Sequence, residues 1–345
     1  MPLENKLSNK RVLLTCGGGV GDIIMFTPAL RRLKEKYNCY IGFLTPRNPE
    51  LLENLSFVDE VVYVPRKKAF SKIASIPKIY AYDAVIITDW QPVVLMAAIV
   101  FGVKIRAGFP RSEKFISRFY NKILTYKWHK QLGYVGDNNA RLIAEALDIE
   151  LDGDMSNCEI SRPSMQDRIA VNGYLEKIGI ASIKDFVILS PFTNFYLKNY
   201  PVSESKSLVR MIEQKYHLPV IVVGGLGDAE DGDKISRYNL CGKTSIMELV
   251  ELISRARLMV TADSGPMHVA GAVHTPTIAV FGKEIPERWA PRHNCHPICL
   301  HYPCSPCKDE VAIKCPKKVE CLRKITAEMV MDKVEEILNG KGAVK

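Results

Sequence analysis

The sequence lacks an apolar run long enough to cross a lipid bilayer. Its longest such run occupies residues 92–103, whereas a transmembrane helix needs about 20 apolar residues. The first ten residues are polar, and a strand pattern begins at residue 11, so the start of the chain does not read as a secretory signal peptide. Low-complexity tracts, short repeats and recognised nucleic-acid-binding motifs are also missing. We therefore expect a cytoplasmic protein without a transmembrane helix and without a nucleic acid partner.

Length and composition indicate a soluble globular protein with more than one core. The chain has 345 residues, of which 47% are apolar and 25% are charged. This length exceeds that of one typical domain. We predict a first domain over residues 1–165, a second over residues 166–324 and a C-terminal segment over residues 325–345.

Positive charge exceeds negative charge, with a formal net charge of +9. Basic residues concentrate in residues 66–78, 104–130 and 308–324, and the second of these stretches also carries several aromatic residues. Lysines scattered over a solvated surface would explain the excess. A basic and aromatic stretch would also suit an anionic partner, either at a membrane surface or in a substrate groove.

Alternating strand and helix patterns predict an α/β protein. Predicted strands lie at residues 11–15, 40–44, 61–64, 84–88, 104–108, 186–190, 219–223, 239–241, 258–261 and 277–281. Predicted helices lie at about residues 22–36, 48–54, 68–78, 92–101, 137–147, 169–178, 203–216, 245–255, 265–272 and 326–338. Two successive βα arrays of this kind predict two Rossmann-like halves that face a cleft.

A glycine-rich turn follows the first predicted strand. Four glycines occupy the five positions 17–21, and Asp22 comes next. No Lys-Ser/Thr pair follows, so this is not a P-loop, and the third glycine of a dinucleotide fingerprint would fall on Asp22. The turn, with Gly19, Val20 and Gly21 leading into the helix, therefore presents the Asp22 carboxylate at the carboxyl edge of the strand, where parallel sheets bind ligands.

A second polar turn follows the strand at residues 258–261. Asp263, Ser264 and Gly265 precede a predicted helix that carries His268 in its first turns. The start of a helix binds phosphate because its backbone N–H groups are unpaired and its dipole is positive there. Asp263 and Ser264 are suitable N-caps, and Gly265 permits close approach of a ligand. An ordinary capped helix is the alternative interpretation.

Three ordered motifs carry a resemblance to a known family. They are G-D-x5-P-x-L-x2-L from Gly21, K-x-Y-P from Lys198, and D-S-G-x2-H from Asp263 followed by T-P-x4-F-G from Thr275. Together they resemble glycosyltransferase family 9, the ADP-heptose:lipopolysaccharide heptosyltransferases, over about residues 10–340. Tyr200 departs from the tryptophan that is usual there. The resemblance implies the GT-B architecture, with an acceptor-binding first domain, a nucleotide-sugar-binding second domain and a C-terminal helix packed back on the first domain.

The chemistry of sugar transfer suggests roles for individual residues, and the resemblance also assigns the base to Asp22. Asp22 would be the base that deprotonates the acceptor hydroxyl, and Lys198 would neutralise the departing diphosphate. Thr193 and the backbone N–H groups of Ser264 and Gly265 would assist Lys198, and His268 would add a hydrogen bond to phosphate. In a purely structural interpretation Asp22 only caps a helix and Lys198 lies on the surface.

Nucleotide recognition rests on two further turns. Asp228 follows the strand at residues 219–223 and is the candidate for the ribose contact, with Glu230 as the alternative. Thr244 and Ser245, at the start of the next helix, would border the adenine. Ordinary turn chemistry is the alternative for both turns.

The expected reaction is transfer of heptose from ADP-heptose to an anionic, lipid-linked inner-core acceptor of the Kdo-lipid A type, with inversion by direct displacement. No Asp-x-Asp pair lies near these turns, so we expect no metal and no cofactor besides the ADP-sugar substrate. The enzyme would work peripherally on the inner face of the bacterial inner membrane, without an obligate protein partner. The alternatives are transfer of another nucleotide-activated sugar, a nucleotide-sugar 2-epimerase, and a nucleotide-sugar-binding protein without catalysis.

Six of the ten cysteines fall late in the chain. Cys304 and Cys307 form a C-x2-C pair, which with Cys315 and Cys321 makes a possible four-thiolate set, although the later spacings do not fit the usual paired knuckles. Reduced structural thiols in a reducing cytoplasm are the first interpretation. A structural metal and a disulfide are the alternatives.

Overall fold

A computed structural model describes residues 7–64, 79–89, 91–110, 115–125, 133–181, 185–307 and 315–340. The chain divides into two compact units, Met1–Ser161 and Arg162–Lys345. Each unit contains one parallel sheet with helices packed on it, which is the α/β class expected from the sequence. The division lies four residues before the boundary predicted at residue 165.

The first unit contains a six-stranded parallel sheet in the order β3-β2-β1-β4-β5-β6. Its strands are β1 (Arg11–Thr15), β2 (Tyr40–Thr45), β3 (Glu60–Tyr63), β4 (Ala84–Ile87), β5 (Ile105–Gly108) and β6 (Lys122–Ile123). Its α-helices within the described residues are α1 (Val20–Ile24), α2 (Thr27–Tyr37), α3 (Pro92–Val100) and α4 (Val135–Leu147). Because β1 lies between β2 and β4, the turn after β1 opens at the middle of the carboxyl edge.

Each face of this sheet has its own buried cluster, because successive side chains of a strand point to opposite faces. Val12 and Leu14 of β1 join the cluster that includes residues of α2 and α4. Leu13 joins the cluster that includes residues of α3. The strands therefore read as continuous apolar runs, as in a sheet that is covered on both sides.

The second unit contains a five-stranded parallel sheet in the order β11-β10-β9-β7-β8. Its strands are β7 (Val187–Ser190), β8 (Val220–Val222), β9 (Leu258–Ala262), β10 (Thr277–Phe281) and β11 (Cys295–Cys299). Its α-helices within the described residues are α5 (Met165–Lys177), α6 (Val202–Tyr216), α7 (Ala229–Ile235), α8 (Ile246–Arg255), α9 (Gly265–Ala272), α10 (Pro286–Trp289), α11 (Glu320–Arg323) and α12 (Ala327–Leu338).

The C-terminal helix α12 belongs to the core of the second unit. It begins at the N-cap Thr326, as predicted, and packs against α6 and β10. Its buried residues Val330, Met331, Val334 and Ile337 lie in the same cluster as the strands of that sheet. We expected this helix to pack back on the first domain. Its apolar stripe packs within the second unit, which does not test a contact with the first unit, so that expectation stays a prediction.

Several predicted elements differ in detail from those observed. The helix expected at residues 22–36 is two helices, because Pro28 in the first turn of α2 cannot continue the hydrogen bonding of α1. The helix expected at residues 48–54 is a 3₁₀ turn at Pro49–Leu51. The strand expected at residues 239–241 is an isolated bridge between Val222 and Asn239. The helix predicted at residues 68–78 lies outside the described residues.

Strand β11 was not predicted. Its sequence contains His296 and Pro297, and proline cannot donate to a ladder of hydrogen bonds. It is tolerated because β11 is at the edge of the sheet. In the described parts of the chain, none of the helices combines the length and apolar character that crossing a membrane requires.

Candidate active site

The candidate residues of the second unit follow the carboxyl ends of its strands. Thr193 and Lys198 come after β7, Asp228 comes after β8, and Asp263 to His268 come after β9. Because all strands of this sheet are parallel, these turns lie along the same edge. Strands β7 and β9 are neighbours, so the turns that follow them are adjacent.

Lys198 and Asp263 form a direct ion pair. Lys198 ends the 3₁₀ turn Tyr196–Lys198, and its Nζ lies 2.7 Å from Oδ2 of Asp263, the residue directly after β9. The side chains are 22% and 6% exposed, respectively. Burial raises the pKa of the Asp263 carboxyl above its ordinary value, and the Lys198 ammonium opposes this rise. The pair therefore places a mostly buried positive charge and its counter-ion beside the start of α9.

The start of α9 presents two buried polar atoms without a hydrogen-bond partner among the described residues. They are the Ser264 hydroxyl and Nδ1 of His268. Ser264 is the N-cap residue, as expected, but its side chain makes no capping hydrogen bond. An unpaired buried polar group costs about 1–3 kcal/mol, so these atoms suit a site that receives a polar ligand.

His268 is a neutral imidazole at physiological pH. Burial, with a smaller contribution from the Lys198 ammonium, lowers the pKa of His268 to about 3. The ring lies edge-on to Trp289, with centroids 6.4 Å apart. The neutral imidazole of His268 can therefore donate a hydrogen bond to a phosphate, or share one with a hydroxyl, without adding charge to the site.

Thr193 holds the turn that carries Lys198. Its hydroxyl donates to the Phe195 carbonyl at 2.7 Å and accepts from the Phe195 amide at 3.0 Å. Its own amide donates to Oδ1 of Asn199 at 2.8 Å. These bonds fix the backbone on either side of the 3₁₀ turn, so Thr193 positions the Lys198 ammonium.

The structure distinguishes the two acids proposed for the ribose. Asp228 accepts a hydrogen bond from the Gly225 amide at 2.8 Å and is partly exposed at the end of β8. Glu230 is 89% exposed and pairs with Lys234 along α7 at 3.0 Å. The position of Asp228 beside the strand end favours it over Glu230.

The two residues proposed to border the adenine lie in the turn before α8. Ser245 is the N-cap of α8: its hydroxyl accepts from the Glu248 amide at 3.2 Å, and its amide donates to the Glu248 carboxylate at 2.6 Å. Thr244 precedes it and is partly buried. The Gly242 amide donates to the Gly224 carbonyl at 2.9 Å, which joins this turn to the turn that carries Asp228.

In the first unit, the glycine turn holds Asp22 against its own backbone. Oδ2 of Asp22 accepts a hydrogen bond from the Gly19 amide at 2.7 Å, and Asp22 lies in the first turn of α1, where Gly19 is the N-cap and Val20 the first residue. A Cβ atom added at Gly18 would lie 2.3 Å from Oδ2 of Asp22. Asp22 thus makes the capping contact of the structural interpretation, and its partly buried carboxylate lies at the carboxyl edge of β1.

A second carboxylate beside this turn escaped the sequence analysis. Asp89 follows β4, the neighbour of β1, and accepts a hydrogen bond from the Thr15 hydroxyl at 3.3 Å. A Cβ atom added at Gly17 would lie 1.9 Å from Oδ2 of Asp89. The sequence could have indicated Asp89, because this acid directly follows the apolar strand predicted at residues 84–88. Asp22 follows the glycine turn after β1 in a similar way.

A polar group after β10 was also missed. Lys283 and Glu284 pair at 3.3 Å, and Nε1 of Trp289 lies 3.3 Å from Oε2 of Glu284. The Lys283 ammonium lies over the Phe195 ring, 5.3 Å from its centroid. Both charged groups influence the pKa of Asp263, so they lie near the Lys198 pair. Charged residues directly after the F-G of the last motif would have indicated them.

All ten cysteines are free thiols. Burial raises the pKa of Cys321 to about 11, and the nearby thiols Cys307, Cys304 and Cys315 add to the rise. The Val319 amide donates to Sγ of Cys315 at 3.3 Å. These four thiols lie near one another, yet no group of three or more His, Cys, Asp or Glu side chains in the described residues is arranged to hold a metal ion.

Comparison with known proteins assigns most of the chain to one family. The family model for glycosyltransferase family 9 (heptosyltransferase) matches residues 78–317. Lipopolysaccharide heptosyltransferase 3 from Escherichia coli is 24% identical over 300 residues, which cover 79% of this chain and 84% of that protein.

Solved structures share the fold over nearly the whole chain. The glycosyl transferase family 9 protein from Veillonella parvula has a TM-score of 0.80 at 18% identity and covers 97% of this chain and 98% of its own. The E. coli ADP-heptose lps heptosyltransferase II has a TM-score of 0.73 at 20% identity, with 97% and 100% coverage. The expected GT-B architecture is therefore confirmed.

Proposed function

This chain belongs to glycosyltransferase family 9, the heptosyltransferase family, and on that premise we propose that it moves heptose from ADP-heptose to a lipopolysaccharide inner-core acceptor of the Kdo-lipid A type. The donor follows from the similarity to E. coli lipopolysaccharide heptosyltransferase 3 and to the ADP-heptose enzyme of the same organism. The structural observation that carries the proposal is the Lys198–Asp263 pair beside the unpartnered polar atoms at the start of α9.

The second unit supplies what a departing diphosphate needs. Lys198 provides positive charge in a site of low exposure, where electrostatic interactions are stronger than in water. The backbone N–H groups of Ser264 and Gly265 at the start of α9 add hydrogen bonds and the helix dipole. Ser264 Oγ and His268 Nδ1 add two polar atoms that lack a partner in the described structure. Asp228 binds the ribose, and Thr244 and Ser245 border the adenine.

The first unit supplies the catalytic base. Asp22 takes the proton of the acceptor hydroxyl while the hydroxyl oxygen forms the new bond to the anomeric carbon and the bond to the ADP oxygen breaks. The electron pair leaves with ADP, whose charge Lys198 and the start of α9 stabilise, and the configuration at the anomeric carbon inverts. The Gly19 amide holds the Asp22 carboxylate at the carboxyl edge of β1.

The proposal includes four finer statements. Transfer needs no divalent cation, because Lys198 and the helix start provide the positive charge that a metal would otherwise supply. The protein works at the cytoplasmic face of the inner membrane, where a lipid-linked acceptor is found. It associates with that membrane peripherally and needs no other protein.

A turnover assay tests the proposal. ADP release is measured with ADP-heptose, ADP-glucose and UDP-GlcNAc, with a Kdo-lipid A acceptor, a chelator, and the variant Asp22→Ala. We expect release with ADP-heptose and acceptor only, unaffected by the chelator. Asp22→Ala should lose at least about 10²-fold in turnover and keep ADP binding by calorimetry. ADP binding without turnover by the wild type would indicate a binding protein, and absence of ADP binding would contradict the nucleotide-sugar proposal.

A further inference from the structure

Helix α3 of the first unit is apolar on all sides, although one of its sides is exposed. Its nine residues include no charged or hydrogen-bonding side chain. Val94, Leu95, Ala97 and Ala98 pack into the buried cluster on one face of the first sheet. On the outer side, Met96 is 54% and Val100 is 77% exposed. A helix without a polar face is normally covered on all sides, so the outer side of α3 calls for a partner.

Two neighbouring segments extend the exposed apolar surface. The 3₁₀ turn Phe115–Phe119 contacts α3 and exposes both phenylalanines, whose ring centroids are 5.8 Å apart. Tyr80 is 68% exposed and lies edge-on to Phe101, at the end of α3, with centroids 6.2 Å apart. We name this surface the aromatic face, and its members are Tyr80, Met96, Val100, Phe101, Phe115 and Phe119.

The aromatic face is held together by a buried framework. Ile79 and Tyr120, which flank it in sequence, pack in the same cluster as Leu95 of α3. The guanidinium of Arg106 donates to the Val103 carbonyl and to the Phe119 carbonyl, at 2.6 and 3.0 Å. These bonds join the end of α3 to the 3₁₀ turn, so the exposed rings sit on one packed surface.

Basic residues are frequent in the sequence around the aromatic face, and two described ones, Lys104 and Arg118, lie next to it in the chain. Residues 92–125 contain six lysines and arginines and a single acid, Glu113. Lys104 is exposed just beyond α3, and the exposed Arg118 lies over the Phe115 ring, 5.3 Å from its centroid. Apolar and aromatic side chains insert at the boundary between headgroups and acyl chains, and neighbouring Lys and Arg attract anionic lipid, by about 1 kcal/mol each near the surface.

From this combination we propose that the aromatic face docks the first unit on an anionic lipid bilayer. Phe115, Phe119, Phe101 and Val100 enter the interface, while Lys104 and Arg118 bind lipid headgroups. The inference rests on the proposed function only in that a lipid-linked acceptor gives the enzyme a reason to be at a bilayer. Binding to the bilayer itself requires neither donor nor acceptor.

Vesicle sedimentation of the full-length protein tests this inference. Vesicles of phosphatidylcholine, with and without phosphatidylglycerol, are compared at low and high salt. We expect binding only with phosphatidylglycerol and weaker binding at high salt, because salt screens the charge term. Absence of binding to anionic vesicles at low salt would overturn the proposal.

Two pairs of variants locate the surface. Val100→Ser/Phe115→Ser and Lys104→Glu/Arg118→Glu should each reduce the partition coefficient by about tenfold or more. The matched controls on the second unit are Met165→Ser/Ile169→Ser, which are 69% and 62% exposed on α5, and Lys206→Glu/Arg210→Glu on α6. The controls should bind like the wild type. Equal loss in controls and face variants, or none in either, would contradict the assignment.

Three further readouts keep the outcome interpretable. Circular dichroism and ADP affinity should be unchanged in the face variants, which shows that they are folded. Sedimentation velocity without lipid measures whether the aromatic face instead forms an interface between two copies of the chain. A dimeric wild type that becomes monomeric in the face variants would overturn the proposal. Vesicle binding by a wild type without glycosyl transfer would leave this inference standing and the proposed function refuted.

Discussion

At the scale of single residues, Lys198 has both a stabilising role in the fold and a role in the proposed reaction. It neutralises the buried Asp263 at 2.7 Å, and in the proposed reaction it also neutralises a diphosphate. Breaking a buried pair leaves an uncompensated charge, whereas removing both charges together is often tolerated. The two roles of Lys198 can therefore be separated by comparing single and double substitutions.

We expect Lys198→Met to destabilise the second unit by about 3 kcal/mol, because the buried Asp263 carboxylate loses its partner. Lys198→Met/Asp263→Asn should recover most of that stability. Both variants should bind ADP at least about tenfold more weakly, since the ammonium is missing in each. Urea denaturation and calorimetry measure the two effects. Recovery of ADP binding in the double variant would show that Lys198 acts only as the counter-ion of Asp263.

His268 gives the second unit an acid sensitivity. Burial lowers the pKa of His268 from 6.5 to about 3. Between these pH values His268 is therefore protonated in the unfolded chain and neutral in the folded chain. Stability is fully present above pH 6.5 and should fall by about 1.4 kcal/mol per pH unit between pH 6.5 and about pH 3.

His268→Asn should remove this part of the pH dependence in urea denaturation. His217→Asn, at an exposed histidine with positive φ at the end of α6, is the control and should retain the acid slope. Parallel curves for the wild type and His268→Asn would mean that the imidazole is not the titrating group.

At the scale of elements, the glycine turn after β1 is shaped around a carboxylate. A Cβ atom at Gly18 would lie 2.3 Å from Oδ2 of Asp22, whereas a Cβ atom at Gly19 would lie 3.8 Å from the same oxygen. Both glycines have ordinary backbone angles for other residues, because neither has a positive φ. The difference between the two positions is therefore one of space alone.

We expect Gly18→Ala to displace the Asp22 carboxylate and to reduce turnover by about 10²-fold, with ADP affinity unchanged. Gly19→Ala should stay within about threefold of the wild type, because 3.8 Å is an ordinary contact distance. Steady-state rates with saturating donor and acceptor measure the effect. Equal rates in the two variants would show that the position of Asp22 against this turn is unimportant.

The elements could largely be predicted from the sequence because buried parallel strands are continuous apolar runs. Strands β1 and β10 match their predicted bounds, and β9 extends one residue further. The edge strand β11 lacks that pattern, and its pairing depends on β10 beside it. Turn positions of Asp22 and Asp263 could be predicted because each follows such a strand. The pairing of Lys198 with Asp263 could not be predicted, because the two residues are 65 positions apart in the sequence. A contact over that separation produces no local sequence pattern.

At the scale of the whole molecule, the proposed donor contacts all belong to one unit. Lys198, Ser264, Gly265 and His268 lie within Arg162–Lys345, as do Asp228 and Thr244. Asp22, the proposed catalytic base, and the aromatic face belong to the first unit, Met1–Ser161. Donor binding and acceptor activation are thus assigned to separate buried cores.

We expect ADP to slow hydrogen exchange around the turns after β7, β8 and β9 and to leave the strands of the first sheet unchanged. Ligand binding stabilises the state that it binds by mass action, and a locally unfolding unit shows this in its own amides. Exchange followed by mass spectrometry, with and without ADP, measures the effect. AMP is the control and should protect the turn after β9 less, because it lacks the second phosphate. Protection confined to the first unit would place the nucleotide site there.

The position of α12 has a consequence for how the chain is made. During synthesis the first unit has every described buried residue of its main cluster once Met155 has been added, whereas the second unit lacks the five buried cluster residues of α12 before that helix is made. Between the synthesis of β11 and that of α12, the second sheet therefore presents apolar surface that α12 later covers. A premature stop before residue 327 would release a chain whose first unit can fold and whose second unit cannot, and such a chain is a substrate for chaperones and proteases rather than a slow enzyme.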